Sequence, residues 1–417
     1  MLYTAMTQGG RSPVIGMRLI YVSSSLPYGP GEAQVVPEIE VLTKQGHEVI
    51  IVPAYPRGSV LHDDAKALME STITQPLLSL NIVKAAIVES LRAPTKVLRI
   101  LGWLFQSRSF MILLKNLAIY LKGLWLARLA RRWKADHIHA TWAAVAATMA
   151  LIASEVSGIP WSFTARRFDI LENNLLSLKM VHASFMRLIS QDGLKMVKEL
   201  GLEMPDHRVL ILHVGVYLPT HFGALRDQQE EVNVPIILCP AGLRPVKGHK
   251  YLIEAFAILR ERGVKSELWL AGQGKLRREL QKQIEALELS HRIDFLGQLP
   301  HLELLDLYNQ GKIAIVVLPS LHEGIPVSLI EAMAHGMPVV STIVGGTPEL
   351  LEGGVGLLVP PKDPMALANA IECLVKDPEV RKRLGETGRK RVEDSFAVES
   401  IMAELVRRFE ACVGSKA

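Results

Sequence analysis

The chain has 417 residues, 49% of them apolar, which is material for two or three domains with sizeable cores. Its three cysteines, Cys239, Cys373 and Cys412, have no metal-like spacing, which argues against a disulfide framework and for a reducing compartment. The net charge of +5 is uneven: eleven bases stand against one acid, Glu89, between Lys84 and Lys134, so the rest of the chain is net negative.

Residues 1–16 are polar and irregular, carry no signal-peptide pattern and read as a loose extension. The first strand-like run is Arg18–Val22, followed by the loop Ser23–Gly31 and a helical stretch through Val41 with Pro37 as a kink. Glycines at 29 and 31 let backbone approach a ligand, but the third glycine of a dinucleotide fingerprint is missing, and a plain tight turn fits the loop as well. Strand two is Gly46–Val52. The acids Asp63 and Asp64 fall in a loop-like stretch and do not read as a metal pair.

Segment 84–134 is basic and apolar at once. Arg108, Lys115 and Lys122 recur every seven residues, near one helix face, among Phe110, Leu113, Leu114, Leu117 and Trp125. No uninterrupted run reaches the roughly 18 apolar residues of a spanning helix. Two readings stand: a core helix with a solvated basic edge, or an amphipathic surface on anionic lipid, the latter preferred here. Nucleic acid is not expected, because no binding motif accompanies the charge.

Further on, Ala135–Ala140 is a strand, 143–157 an alanine-rich helix, and Ile159–Ala165 a strand ending in Arg166-Arg-Phe-Asp169. His137 and His139 share a strand face, but no third histidine is near, so they read as structural. Leu188–Gln191 and Val209–Gly215 close the first half, and Thr220–Val232 suits a linker. The second half opens on Ile236–His249, then a helix from Tyr251, the strand Glu267–Ala271 with Gly272 and Gly274, a charged helix, and the strand Arg292–Gly297. Ile313–Leu318 is a β-branched run expected to be a buried parallel strand. A loop with Glu323 follows, then a helix opened by Pro326 and ended by Gly336, with Glu331 inside it, then the strand Pro338–Thr342. In such strand–loop–helix units ligands sit outside the carboxyl ends of the strands, and a helix N-terminus favours phosphate. The last helices run from Pro364 to Val413.

Pro319-Ser-Leu-His-Glu-Gly-Ile-Pro326, Glu331-Ala-Met-Ala334 and Pro338-Val-Val340 together resemble the E-x7-E signature of retaining glycosyltransferases of family 4, the group 1 glycosyltransferases. The resemblance implies an α/β, GT-B fold: two Rossmann-like domains facing a cleft, with a C-terminal helix crossing back to the first. The expected division is an acceptor-side domain at 17–218, a linker at 219–234, a nucleotide-sugar domain at 235–390 and the returning helix at 391–417. Implied catalytic residues are Glu323, facing the donor sugar, Lys247 and Arg244 as cations for the leaving diphosphate, and Arg166. Implied donor contacts are Glu331 on the ribose, Gly324, Ile325, Pro326 and Val327 at the helix entry, and Gly242, Gly272 and Gly274. Gly29, Gly31 and Asp169 would face the acceptor and phosphate. Two positions depart from the pattern: Arg166 stands where the family has histidine, and Gly242 where it has arginine, with Arg244 two residues on. Arginine keeps its charge and cannot shuttle a proton near neutral pH.

The implied function is transfer of a sugar, with retention, from a UDP- or GDP-linked donor to a glycan or lipid-linked acceptor in cell-envelope polysaccharide synthesis. No cofactor or metal is expected, and the place is the cytoplasmic face of the inner membrane, held peripherally through 84–134. A nucleotide-sugar epimerase and a non-catalytic nucleotide-binding subunit are alternatives on the same architecture.

Overall fold

The computed structural model describes residues 16–28, 32–56, 66–219 and 234–414. Gly29, Gly31, Asp63, Asp64, the extension before Gly16 and nearly all of the expected linker lie outside the described residues.

The described strands form two six-stranded parallel sheets. The first contains β1 (Arg18–Ser23), β2 (Glu48–Pro53), β3 (His137–Ala140), β4 (Trp161–Ala165), β5 (Phe185–Leu188) and β6 (Val209–Ile211), in the order β2-β1-β3-β4-β5-β6. The second contains β7 (Ile236–Pro240), β8 (Glu267–Ala271), β9 (Ile293–Gly297), β10 (Ile313–Leu318), β11 (Val339–Thr342) and β12 (Leu357–Val359), ordered β12-β11-β10-β7-β8-β9. Parallel strands are joined by helical crossovers that cover both faces, which is why β10 is apolar throughout rather than alternating and β11 is buried along its whole length.

The pleat divides the first core in two. Ile20 and Val22 of β1 point to one side with Ile138, Phe163 and Leu188. Leu19 and Tyr21 point to the other with Ile51 and Phe185, and that side is closed by helices Val36–Lys44 and Val398–Gly414. The last helix contributes Val398, Met402, Leu405 and Phe409, spaced at four, three and four residues on one face. His137 and His139 lie beneath it, in register with Leu19 and Tyr21. Their rings bond to the Ser162 and Thr164 hydroxyls, and Phe409 packs on them at 4.9 and 5.5 Å. They are core residues, as expected.

Several boundaries differ from expectation. Pro37 does not kink a helix; it sits in the first turn of Val36–Lys44, where its missing N–H costs nothing. Ile189 and Ser190 follow β5 as a loop and Gln191 opens helix Gln191–Glu199, because the strand starts three residues earlier. The return to the first domain falls at Phe396–Val398 rather than at 391. The helix Pro378–Ser395 stays on the second domain, and the bridge between Val216 and Ala397 marks the crossing.

The larger correction concerns segment 84–134. It forms three helices, Leu80–Arg92, Pro94–Leu104 and Phe110–Trp133. The third is long and apolar enough to cross a membrane by length and composition, yet its second half is core, packed on helix Val145–Ser157 so closely that a side chain at Gly123 would meet Ile152 at 2.8 Å. Lys122 does not belong to an exposed basic face. It is fully buried, and its Nζ donates to the carbonyls of Pro53 (2.7 Å), Ala54 (3.0 Å) and Gln75 (2.7 Å), tying the end of β2 to the chain that follows. A seven-residue spacing says which residues share a helix face; it does not say whether that face meets water or carbonyls.

Burial lowers the Lys122 pKa from 10.5 to about 8. The unfolded chain then binds more protons than the native one between those values, so this residue adds stability as pH rises from about 8 to 10.5. Lys122→Met should lose that rise and cost ~2–4 kcal/mol at neutral pH, because three carbonyls lose their donor. Urea unfolding of both proteins across that range is the check; equal stability at pH 7 would contradict the bracing role.

A candidate nucleotide-sugar cleft

In the second domain three loops close together at the carboxyl ends of β7, β10 and β11. The loop after β7 forms a short 3-10 turn, Pro245–Lys247, and reverses at Gly248 with φ +68°. A Cβ there would lie 2.0 Å from the Pro319 carbonyl oxygen, so only glycine permits this approach. The Leu321 N–H donates to Val246 at 2.7 Å, fixing the β10 loop to the β7 loop. On the other side Gly346 donates to the Gly324 carbonyl at 2.7 Å, and a Cβ at Gly345 would fall 1.9 Å from the Glu323 oxygen.

These loops bring Lys247 onto Glu323. Nζ lies 2.5 Å from Oε1, and the Ser320 hydroxyl donates to the same oxygen at 2.6 Å. Both side chains are mostly covered, so the pair works at reduced dielectric. The N–H groups of Gly324 and Ile325 have no acceptor within the protein among the described residues. Directly after them Pro326 occupies the N-cap position of helix Val327–Ala334, so the helix begins one residue later than expected. Free amides, a helix N-terminus and a paired lysine together favour an anion.

Glu331 lies inside that helix, as expected. Leu329, Ile330, Ala332 and Met333 around it are fully buried, and its carboxylate meets the His301 Nε2 at 2.8 Å. Sequence reasoning missed His301, since nothing marks a histidine thirty positions upstream. Gly242 faces Arg244, whose Nε is 3.7 Å from where a Gly242 side chain would begin. Arg244 is exposed and its side chain has no protein partner among the described residues. Gly272 and Gly274 have a packing reason: a Cβ at either would sit 2.2 Å from the carbonyls of Ala241 and Leu243. They bring the β8 loop onto the β7 loop.

The first domain presents the ends of β1, β3, β4 and β5. Glu32, which the sequence did not single out, is buried and anchors the first loop. It accepts from the backbone of Ser24, Ser25 and Leu26 and from the Thr141 hydroxyl. Arg166 is 8% exposed, its guanidinium lies 4.7 Å from the Trp142 ring centre, and its Nε has no acceptor. Burial lowers its pKa from the usual arginine value. Asp169, expected to face the acceptor and phosphate, has backbone partners. Its carboxylate is buried and accepts the N–H groups of Ala143 and Arg166, bracing the turns after β3 and β4. Burial pushes its pKa up to about 7. Lys179 completes the brace with bonds to Ala143, Ala144 and Asn174 carbonyls, its pKa driven down to about 7 by burial.

The two sets of loops meet. Ile189 comes within 3.6 Å of where a side chain on Gly324 would begin. Glu349, another residue sequence reasoning passed over, accepts from the Gln191 N–H at 2.8 Å and from His213 Nε2 at 2.8 Å. Among the described residues no group of three His, Cys, Asp or Glu could hold a metal ion.

Two facing Rossmann-like domains with a returning C-terminal helix define a GT-B protein, and solved glycosyltransferases share the fold. The Anabaena protein HepE, solved in complex with UDP, superposes with a TM-score of 0.71 over 95% of this chain and 100% of its own, at 19% identity. Residues 224–391 match the family described as glycosyl transferases group 1. Among curated relatives, an alpha-D-kanosaminyltransferase of Streptomyces kanamyceticus is 35% identical over 163 residues, 39% of this chain and 42% of the relative. The putative colanic acid biosynthesis glycosyltransferase WcaL of Escherichia coli is 34% identical over 215 residues, 50% of this chain and 52% of the relative. These matches span about half the length of the relatives.

Glu349→Ala should remove two contacts between domains, worth roughly 1–3 kcal/mol together, and loosen the cleft. Small-angle scattering checks this through a larger radius of gyration; an unchanged radius would place the clamp elsewhere.

Proposed function

We propose that the protein is a glycosyltransferase that moves a sugar from a UDP- or GDP-linked donor, with retention and without a metal, to a glycan or lipid-linked acceptor at the cytoplasmic membrane face. The observation that carries this reading is the Lys247–Glu323 pair beside two unpaired amides at a helix N-terminus. It is supported by HepE, of the same fold, having been solved with UDP, and by similarity to WcaL, a putative colanic acid biosynthesis glycosyltransferase.

Loss of the nucleoside diphosphate develops charge on phosphate oxygens. Lys247 and the Gly324 and Ile325 amides, already oriented before reaction, are the groups that hold it, and Arg244 supplies a further cation. Glu323 keeps one carboxylate oxygen for the donor sugar, while the other is fixed by Lys247 and Ser320. A carboxylate so held positions a substrate instead of attacking it. Glu331, steadied by His301, takes the ribose hydroxyls, since a carboxylate accepts a vicinal diol side by side. Arg166 offers its unpaired Nε from the opposite domain.

Thermal unfolding against UDP, GDP, ADP, CMP and their sugar conjugates tests the reading. A ligand at about 100 times its Kd adds ~2.7 kcal/mol to the native state. One base should shift the transition selectively. In Glu331→Ala its binding should weaken by ~1.5–3 kcal/mol, the scale of hydrogen bonds to a charged group. No shift with any nucleotide would overturn the donor site.

A further inference from the structure

Helix Leu80–Arg92 is apolar on two opposite sides. Ile82, Ala85, Ala86 and Glu89 face inward and are buried. On the outward side Leu80, Lys84, Ile87 and Leu91 follow one another at four, three and four residues, a single line along the helix. Leu80 is 78% exposed, Ile87 55% and Leu91 79%, and Val83 and Val88 flank them. An outer stripe this apolar on a domain-surface helix is unusual, because solvated faces are ordinarily polar.

The surrounding charge says what covers it. Lys96, Arg99, Lys115, Lys122 and Arg131 are bonded within the protein. Lys84 and Arg92 on this helix, and Arg128, Arg132 and Lys134 at the end of helix Phe110–Trp133, have no partner among the described residues. The two helices are joined there by the Arg131–Glu89 ion pair, which brings the bases at the end of helix Phe110–Trp133 to the Arg92 end of this helix. A second copy of the chain seated on it would oppose these bases to their own kind, which is unfavourable. An anionic lipid surface answers both features, taking the stripe into its headgroup boundary and the bases onto its phosphates.

We infer that the outer face of helix Leu80–Arg92, with the bases at the end of helix Phe110–Trp133, is the surface by which this protein lies on an anionic bilayer. The inference rests on the membrane part of the function proposed above and confines it to one face. The later half of segment 84–134 contributes its terminal bases only.

Flotation of the full chain with phosphatidylcholine vesicles, with and without phosphatidylglycerol, tests it. The wild type should float only with phosphatidylglycerol and at low salt. Leu80→Ser, Ile87→Ser and Leu91→Ser combined should weaken binding on the order of a hundredfold, since three large apolar side chains no longer enter the boundary. Lys84→Glu with Arg92→Glu should weaken it by roughly fivefold or more per base and flatten the salt dependence. Nucleotide-induced thermal shifts of both variants should match the wild type, showing that the fold and donor site are intact. Flotation that the serine variant leaves unchanged would overturn this surface while leaving membrane attachment standing. No flotation of the wild type, or a dimer that the serine variant converts to monomer, would overturn the inference. Either would leave sugar transfer to be judged by the nucleotide shifts alone.

Discussion

A carboxylate drawn out of water must find a partner, and the organisation of the second domain follows from how Glu323 finds one. Lys247 reaches it only because the β7 loop reverses at Gly248 against the Pro319 carbonyl, and because the β10 loop is tied back through Leu321 to Val246. The same packing leaves the amides of Gly324 and Ile325 unpaired beside the pair. A charge pair, two donors and a helix N-terminus thereby share one small space. Burial of the apolar residues around Glu331 sets the helix that carries the second carboxylate. Neither glutamate could hold its position on a loop free to move, and neither loop could close without the glycines.

The first domain solves a related problem with other residues. Its turns after β1, β3 and β4 are held by buried charged groups bonded to backbone: Glu32 to the first loop, Asp169 and Lys179 to the turns around Ala143. Such groups are costly to bury unless satisfied, and each is satisfied by main chain. Arg166 is the exception, since its Nε is buried without an acceptor and its guanidinium rests on Trp142. An unsatisfied donor at a strand's carboxyl end faces the region where ligands bind in open α/β sheets.

Polar contacts complete the arrangement of the domains. Glu349 receives Gln191 and His213 from the first domain, and the last helix returns to lie under β1, β3 and β5 with Phe409 over the two histidines. Two separate apolar cores therefore act as one frame for a cleft, linked by a few hydrogen bonds and one packed helix. Links of this size permit the domains to move as substrates enter and products leave.

The local order of strand, loop and helix around Glu323 was legible because it depends on short-range chemistry: β-branched runs, a proline that opens a helix and glycines that end one. Glu323 and Glu331 were legible as candidates for the same reason, through spacing within one unit, and Lys247 through a match to a known pattern. What sequence could not give were partners distant along the chain. His301 beside Glu331, Glu349 between domains, Glu32 under the first loop and the carbonyl cage of Lys122 are set by which loops meet after folding. Segment 84–134 shows the division most plainly. Its sequence determined that it is helical, basic and apolar, because composition and periodicity are local. Tertiary packing alone decided that Lys122 is inside and Leu80, Ile87 and Leu91 are outside, because burial depends on what lies across from each face.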